Sequence, residues 1–292
     1  MHDTAAKRPG GAKSRRTVSS RNHLVGVALA VVLGLVGSAQ AAAKETHQVR
    51  LYTSGAALEY LVKVNGIEKC SGAMIQQNQV ITAAHCVIDR RTSKPADGMS
   101  VEIRGKKYEP DFVIYDEAFV APYVNSKKNG IIVKYDIAIL TFNQKLDGKI
   151  VSTDRGMPNG GKLVAIGYQP TWPETGKLLR PKNYDDKSYL KPGVNIFTSK
   201  PAACTIPVNS VKVNQERLTA TCGLIPGASG GPLLSISTNG ASLVGVLSTV
   251  NYDLTVNNWV RGGHIARIIG RADGVVVYSL KGPINGGPVR ES

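Results

Sequence analysis

Histidine and cysteine are scarce in this chain, with five of the first and four of the second among 292 residues. The cysteines, Cys70, Cys86, Cys204 and Cys222, stand 16, 118 and 18 residues apart, without a C-x-x-C pair or clustered histidines. That spacing argues against zinc, which needs three or four nitrogen or sulfur ligands in reach of one another. No group of carboxylates has the spacing of a calcium loop, and no cofactor or metal is expected. Aromatic residues make up 6% of the chain, and no basic stripe carries interleaved aromatics, so nucleic acid is not an expected partner. Strong helical periodicity with caps is also missing, apart from a possible short turn over residues 83–87, which argues against a helical fold.

What remains is an ordinary globular composition, 42% hydrophobic and 20% charged, able to bury a sizeable core as one large domain or two smaller ones. The first 41 residues stand apart. A basic stretch through His23 leads into an apolar run over residues 24–36, then Ala39-Gln40-Ala41, the form of an export signal with its cleavage site. A membrane anchor is the rival reading, but the run is short for a bilayer and carries Gly26 and Gly34. No later stretch is long and apolar enough to span. Ser14-Arg15-Arg16 resembles the start of a twin-arginine motif, although Val18, Ser19 and Ser20 depart from its usual continuation. The four cysteines all follow the signal, an even number in a chain bound for an oxidising compartment, and two disulfides are the natural reading.

The formal charge of +15 falls once the signal is removed: residues 1–41 hold six Lys/Arg and one Asp, leaving 30 Lys/Arg against 20 Asp/Glu, or +10. Basic stretches such as Arg104-Gly105-Lys106-Lys107 would favour acidic partners, or are simply solvated loop tips. Short alternating or apolar runs recur between turn residues at 58–64, 79–83, 101–104, 112–115, 137–142, 163–168, 217–221, 233–236, 242–250 and 264–269. This is the rhythm of an all-β sandwich or barrel. The loop-like stretch over residues 147–161 separates two β units, 42–150 and 151–281. The segment 169–201, rich in Pro, Lys and Asp/Asn, reads as surface loop, and 282–292 as a flexible tail.

Three segments can carry chemistry. In "VITAAHCVID" a β run ends in two alanines and His85, and small neighbours leave room for a substrate; the bland reading is a structural strand-end histidine. In "YDIAILTF" Asp136 stands before an apolar strand, as a turn residue or as a buried carboxylate needing a partner such as an imidazole N–H. In "GASGGP" Ser229 is flanked by glycines that allow consecutive backbone N–H groups to converge and a substrate backbone to approach. A hydroxyl nucleophile needs such a base, an orienting group and oxyanion donors.

In order and wording, "TAAHC", "DIAIL" and "GASGGP" resemble the trypsin/chymotrypsin-like serine proteases over roughly residues 55–270. The resemblance implies two antiparallel Greek-key β-barrels with the site in the cleft between them, His85 and Asp136 in the first and Ser229 in the second. It implies Ser229 as nucleophile, His85 as general base, Asp136 as its orienter, and the N–H groups of Gly227 and Ser229 as the oxyanion hole. It also implies a disulfide from Cys70 to Cys86 across the histidine loop and a second, formed by Cys204 and Cys222, beside the substrate pocket.

The chain departs from the family's animal members at Ala228, where they carry an aspartate that pairs with a new N-terminus, so activation by that salt bridge is not expected. The pocket floor falls near Gly223, which offers no carboxylate for Lys or Arg. Ser248-Thr249-Val250 stands where the family has Ser-Trp-Gly, and Val250 would narrow the pocket toward small or medium aliphatic side chains. Gly263 fits the opposite wall, with His264 beside it. The leading expectation is an exported, monomeric serine endopeptidase acting on proteins or peptides, with no membrane anchor after signal cleavage. It would be secreted or periplasmic. The alternatives are a non-catalytic basic binding module and an esterase on the same scaffold.

Overall fold

The computed structural model describes residues 50–51, 55–120, 135–153, 158–171, 198–214, 217–222, 224, 227–251, 253–257 and 275–280. The export signal, the tail, the run at 264–269, His264, Gly223 and Gly263 lie outside them. Residues 44–292 form one compact unit by their contacts. Among the described residues no helix is long and apolar enough to cross a membrane.

Among the described residues eighteen strands follow one another. The first ten are β1 (Arg50–Leu51), β2 (Leu61–Asn65), β3 (Lys69–Gln76), β4 (Gln79–Thr82), β5 (Ile88–Asp89), β6 (Lys94–Pro95), β7 (Ser100–Ile103), β8 (Lys106–Tyr108), β9 (Phe112–Asp116) and β10 (Ala138–Thr141). The remainder are β11 (Lys162–Thr171), β12 (Thr198–Pro207), β13 (Lys212–Asn214), β14 (Arg217–Thr221), β15 (Pro232–Ser237), β16 (Gly240–Asn251), β17 (Asp253–Asn257) and β18 (Val275–Ser279). They build two eight-stranded sheets, ordered β18-β9-β10-β4-β3-β2-β7-β8 and β1-β12-β11-β15-β16-β17-β14-β13, with β5 and β6 as a separate pair. All strand pairings are antiparallel. The all-β class expected from the strand rhythm is the class observed, and the two sheets are consistent with the two-barrel fold.

Side-chain alternation explains how the sheets are held. Along β10, Ala138 and Leu140 join one cluster with Val80, Met74 and Phe142, while Ile139 on the opposite face joins Ile81, Ile166, Leu234 and Leu243. Along β16, Leu243 and Val246 belong to that same shared cluster, and Val244 and Leu247 to a third with Leu163, Ile206 and Leu233. Each central strand is therefore apolar on both faces, one toward its own sheet's interior and one toward the other sheet. Successive side chains point to opposite faces, so such strands read as continuous apolar runs.

Two expectations are corrected. The stretch 58–60 is a 3-10 turn, part of Ala56–Tyr60, and the strand begins at Leu61. The segment 169–201, expected as surface loop, is strand at both ends, since β11 runs to Thr171 and β12 starts at Thr198. The prolines of β12, Pro201 and Pro207, lie outside the two residues, Ala202 and Ala203, that β1 covers, so their missing N–H groups break no ladder on that side. Of the basic run after Ile103, Arg104 (φ 50°) and Gly105 (φ 80°) form a two-residue hairpin tip, the positive pair that matches strand twist, and Lys106 and Lys107 begin β8. Sheet membership also crosses the mid-chain loop, because β1 pairs with β12 and β18 with β9.

Candidate active site

The register of two neighbouring strands brings His85 to Asp136. Ala138 lies opposite Thr82, so the residues just before β10 run alongside those just after β4. His85 sits on the 3-10 turn Ala84–Cys86, as the expected turn there implies, over the fully buried Ala83 and Ala84. Asp136 Oδ1 accepts the His85 backbone N–H at 2.8 Å, and Oδ2 meets Nδ1 at 2.7 Å. The acid is completely buried, whereas the imidazole is 14% exposed.

Ser248 completes the carboxylate's shell by donating its hydroxyl to Asp136 Oδ2. Its backbone carbonyl in turn accepts the Ser229 hydroxyl at 3.1 Å. Ser248 can serve both because the β16–β17 register slips between Leu247 and Thr249. A bulge re-aims the residue it holds. Among the described residues no hydrogen bond joins Ser229 Oγ to His85 Nε2, which meets the Cys86 sulfur at 3.7 Å. The sequence assigned Ser248 to substrate contact, and its hydroxyl bond to Asp136, 112 residues away, carried no local signal.

Burial disfavours charge on His85, but the Asp136 carboxylate, through its charge and hydrogen bond, prevails and raises the imidazole above its ordinary 6.5. Burial likewise works against the Asp136 anion, and the His85 charge, the Nδ1 and Ser248 donors and the His85 backbone N–H hold it below 3.8. A carboxylate on Nδ1 keeps the ring proton there and leaves Nε2 as the acceptor.

The loop that carries Ser229 is sharply bent. Gly227 (φ 101°) and Gly230 (φ 78°) occupy the left-handed region, and a Cβ on Gly230 would overlap the Ser71 carbonyl and the Thr82 hydroxyl. Only glycine fits there. Ala228 is fully buried in the apolar cluster with Leu163 and Leu233, where a side chain on Gly167 would come within 2.5 Å of its Cα.

Both disulfides are formed, Cys70 with Cys86 and Cys204 with Cys222, each with its Cα atoms 6.1 Å apart. The first ties β3 to the residue after His85. His85, Cys70 and Cys86 offer ligand atoms within 4.8 Å of one another, but sulfurs joined to each other present no thiolate to a metal. Of the expected pocket residues, Ser248 is buried at the site and Val250 lies in β16 opposite Leu254.

Proteins with similar sequences include chymotrypsin-like elastases, a trypsin and a chymotrypsin. The chain is 27% identical over 206 residues to chymotrypsin-like elastase family member 1 of Macaca fascicularis, covering 68% of this chain and 75% of that protein. It is 26% identical over 189 residues to chymotrypsin-C of Bos taurus, covering 63% and 68%. Its fold is similar to that of a Glu endopeptidase solved in complex with MPD, with a TM-score of 0.51 at 14% identity over 76% of this chain and 95% of that one. The trypsin family model matches residues 36–260, most of the chain, and this protein accordingly belongs to the trypsin family of serine peptidases.

Proposed function

We propose that the chain is an exported serine endopeptidase in which Ser229 is the nucleophile, His85 the general base and then acid, and Asp136 the group that fixes the imidazole. One observation carries the reading: a single sealed carboxylate receives the ring N–H of His85 and the hydroxyl of Ser248, whose carbonyl holds the Ser229 hydroxyl. The roles follow the family's general template.

In this reading the substrate's backbone N–H takes the Ser248 carbonyl and releases the Ser229 hydroxyl, which turns to His85 Nε2. The Ser229 oxygen adds to the peptide carbonyl carbon as its proton passes to Nε2. The resulting oxyanion sits on the N–H groups of Gly227 and Ser229. His85 returns the proton to the amine as the C–N bond breaks, leaving an ester on Ser229. Water then repeats the sequence and frees the acid.

Residues 42–150 supply His85 and Asp136 in this reading, and 151–281 supply Ser229 and the pocket, with the substrate between them. Gly223, Ser248, Val250 and Gly263 line a pocket for small or medium aliphatic side chains. Residues 1–41 direct export and are removed, and two disulfides suit the oxidising compartment that follows. The enzyme works as a monomer without a cofactor.

Labelling of residues 42–292 with a fluorophosphonate, read by peptide mass mapping against Ser229→Ala, tests the assignment. Modification confined to Ser229 is expected. A folded, disulfide-bonded protein that hydrolyses peptides without labelling there would refute it. Digestion of a peptide library tests the side-chain preference.

A further inference from the structure

Ser71 lies in β3, next to Cys70 and 158 residues before Ser229, yet it holds the nucleophile loop on both sides of Ser229. It is fully buried. Its backbone N–H donates to the Ser229 carbonyl at 2.8 Å. Its hydroxyl donates to the Gly227 carbonyl at 2.7 Å and accepts from the Tyr168 N–H at 2.8 Å. Its own carbonyl accepts the hydroxyl of Thr82, the last residue of the strand that leads to His85, at 2.7 Å.

These contacts determine the loop one peptide plane at a time. A hydroxyl has one proton, and with Tyr168 occupying its acceptor side that proton is committed to the Gly227 carbonyl. The plane between Gly227 and Ala228 is thereby set. The next plane, which carries the Ser229 N–H, is set by Gly231 donating to the Ala228 carbonyl at 2.9 Å. The third is held at both ends, by Ser71 N–H on the Ser229 carbonyl and by Gly230 N–H on the Leu247 carbonyl at 2.6 Å. Gly227 at φ 101° has no steric restraint of its own. The first plane carries the Gly227 carbonyl and the Ala228 N–H and lies between the plane of the Gly227 N–H and the plane of the Ser229 N–H; without the hydroxyl it can rotate, and the two donors lose their fixed relation.

We infer that Ser71 is a positioning residue for oxyanion stabilisation, holding the peptide plane between Gly227 and Ala228 that links the Gly227 N–H to the Ser229 N–H, and joining the histidine-bearing sheet to the serine-bearing loop. The inference rests on the reading of Ser229 as nucleophile. Complete loss of one oxyanion donor lowers turnover by roughly 10²–10³-fold. A donor that is loosened and not removed should cost less, about 10–100-fold.

The test compares wild type, Ser71→Ala and Ser71→Thr, with active sites titrated by fluorophosphonate so that rates refer to assembled sites. Hydrolysis of a short peptide ester and inhibition by a peptidyl boronic acid, which places a tetrahedral oxyanion in the site, are measured together. For Ser71→Ala, kcat per titrated site is expected to fall about 10–100-fold with KM within about threefold. Boronic-acid affinity should fall by a similar factor, and Ser71→Thr should recover most of both. A Ser71→Ala enzyme with lower thermal stability but unchanged kcat per site would overturn the inference and leave Ser229 in its role. Loss of folded protein in both variants would also overturn it, by assigning the hydroxyl to fold maintenance. Wild type that turns over without labelling at Ser229 would instead sink the underlying reading.

Discussion

Replacing Asp136 with asparagine changes one oxygen to an NH2 group in a site where every neighbour donates. Oδ1 receives the His85 backbone N–H, and Oδ2 receives His85 Nδ1 and the Ser248 hydroxyl. A backbone N–H cannot reverse its role, so the asparagine carbonyl must stay on that side and its NH2 must face the ring and Ser248. The Ser248 hydroxyl can rotate to accept. His85 can accept only by moving its proton to Nε2, the nitrogen that has to receive the Ser229 proton. The substitution thus preserves shape and hydrogen-bond count while presenting the wrong tautomer. Loss of a base in this way lowers kcat by about 10⁴-fold in the general triad template, or about 5.4 kcal/mol at 1.36 kcal/mol per decade. The assay is kcat against pH for Asp136→Asn, normalised to fluorophosphonate-titrated sites. A variant within tenfold of wild type across pH 6–9 would refute both the tautomer argument and the place of Asp136 in it.

The pH behaviour of the pair has two opposed limbs. As the proposed base His85 must be neutral, so activity should rise with pH through an imidazole pKa above 6.5; an inflection below 6.5 would contradict it. Because that pKa is raised on folding, its contribution to stability is fully present below 6.5 and lost as pH climbs through the folded value. The depressed Asp136 contributes above 3.8 and loses that contribution as pH falls through its folded value, and urea titrations across pH would show both edges. Ala228→Asp places a carboxylate in an apolar cluster, beside Gly167. It should lower stability by roughly 3–5 kcal/mol, the cost of an uncompensated buried charge. Calorimetry showing no loss would mean that a cation reaches the loop. Removing the Cys70–Cys86 bridge by double alanine substitution opens a loop of sequence separation 16, which the chain-entropy model values at about 3 kcal/mol. Unchanged urea unfolding would contradict that value.

The three residues proposed to do the chemistry were legible because their requirements are local. An imidazole after a strand beside small residues, an acid opening an apolar strand and a serine among glycines each announce themselves within six letters. Their supports are not local. Ser71 reaches Gly227 across 156 residues and Tyr168 across 97, and its only mark in the sequence is a polar residue in "KCSGAMIQ". That strand was itself overlooked because it is buried on both faces and so lacks alternation. Only the start of β12, residues 198–201, falls in the segment read as surface loop for its Pro, Lys and Asp/Asn, and the strand's prolines are tolerated where β1, one of its two partners, is only two residues long. β17 and β18 were also passed over, since pairing partners decide strands of this length more than their own residues do.

The crossing of the two chain ends has a consequence for how the molecule is made. Val275 pairs with Asp116 and Ser279 with Phe112, so the sheet that carries His85 keeps β9 as an open border until nearly the whole polypeptide has been synthesised. Arg50 and Leu51, near the front, wait equally long for Ala202 and Ala203. Closures over such separations are slow. A product truncated before residue 275 would therefore lack the partner of β9 and offer that strand as a sticky edge.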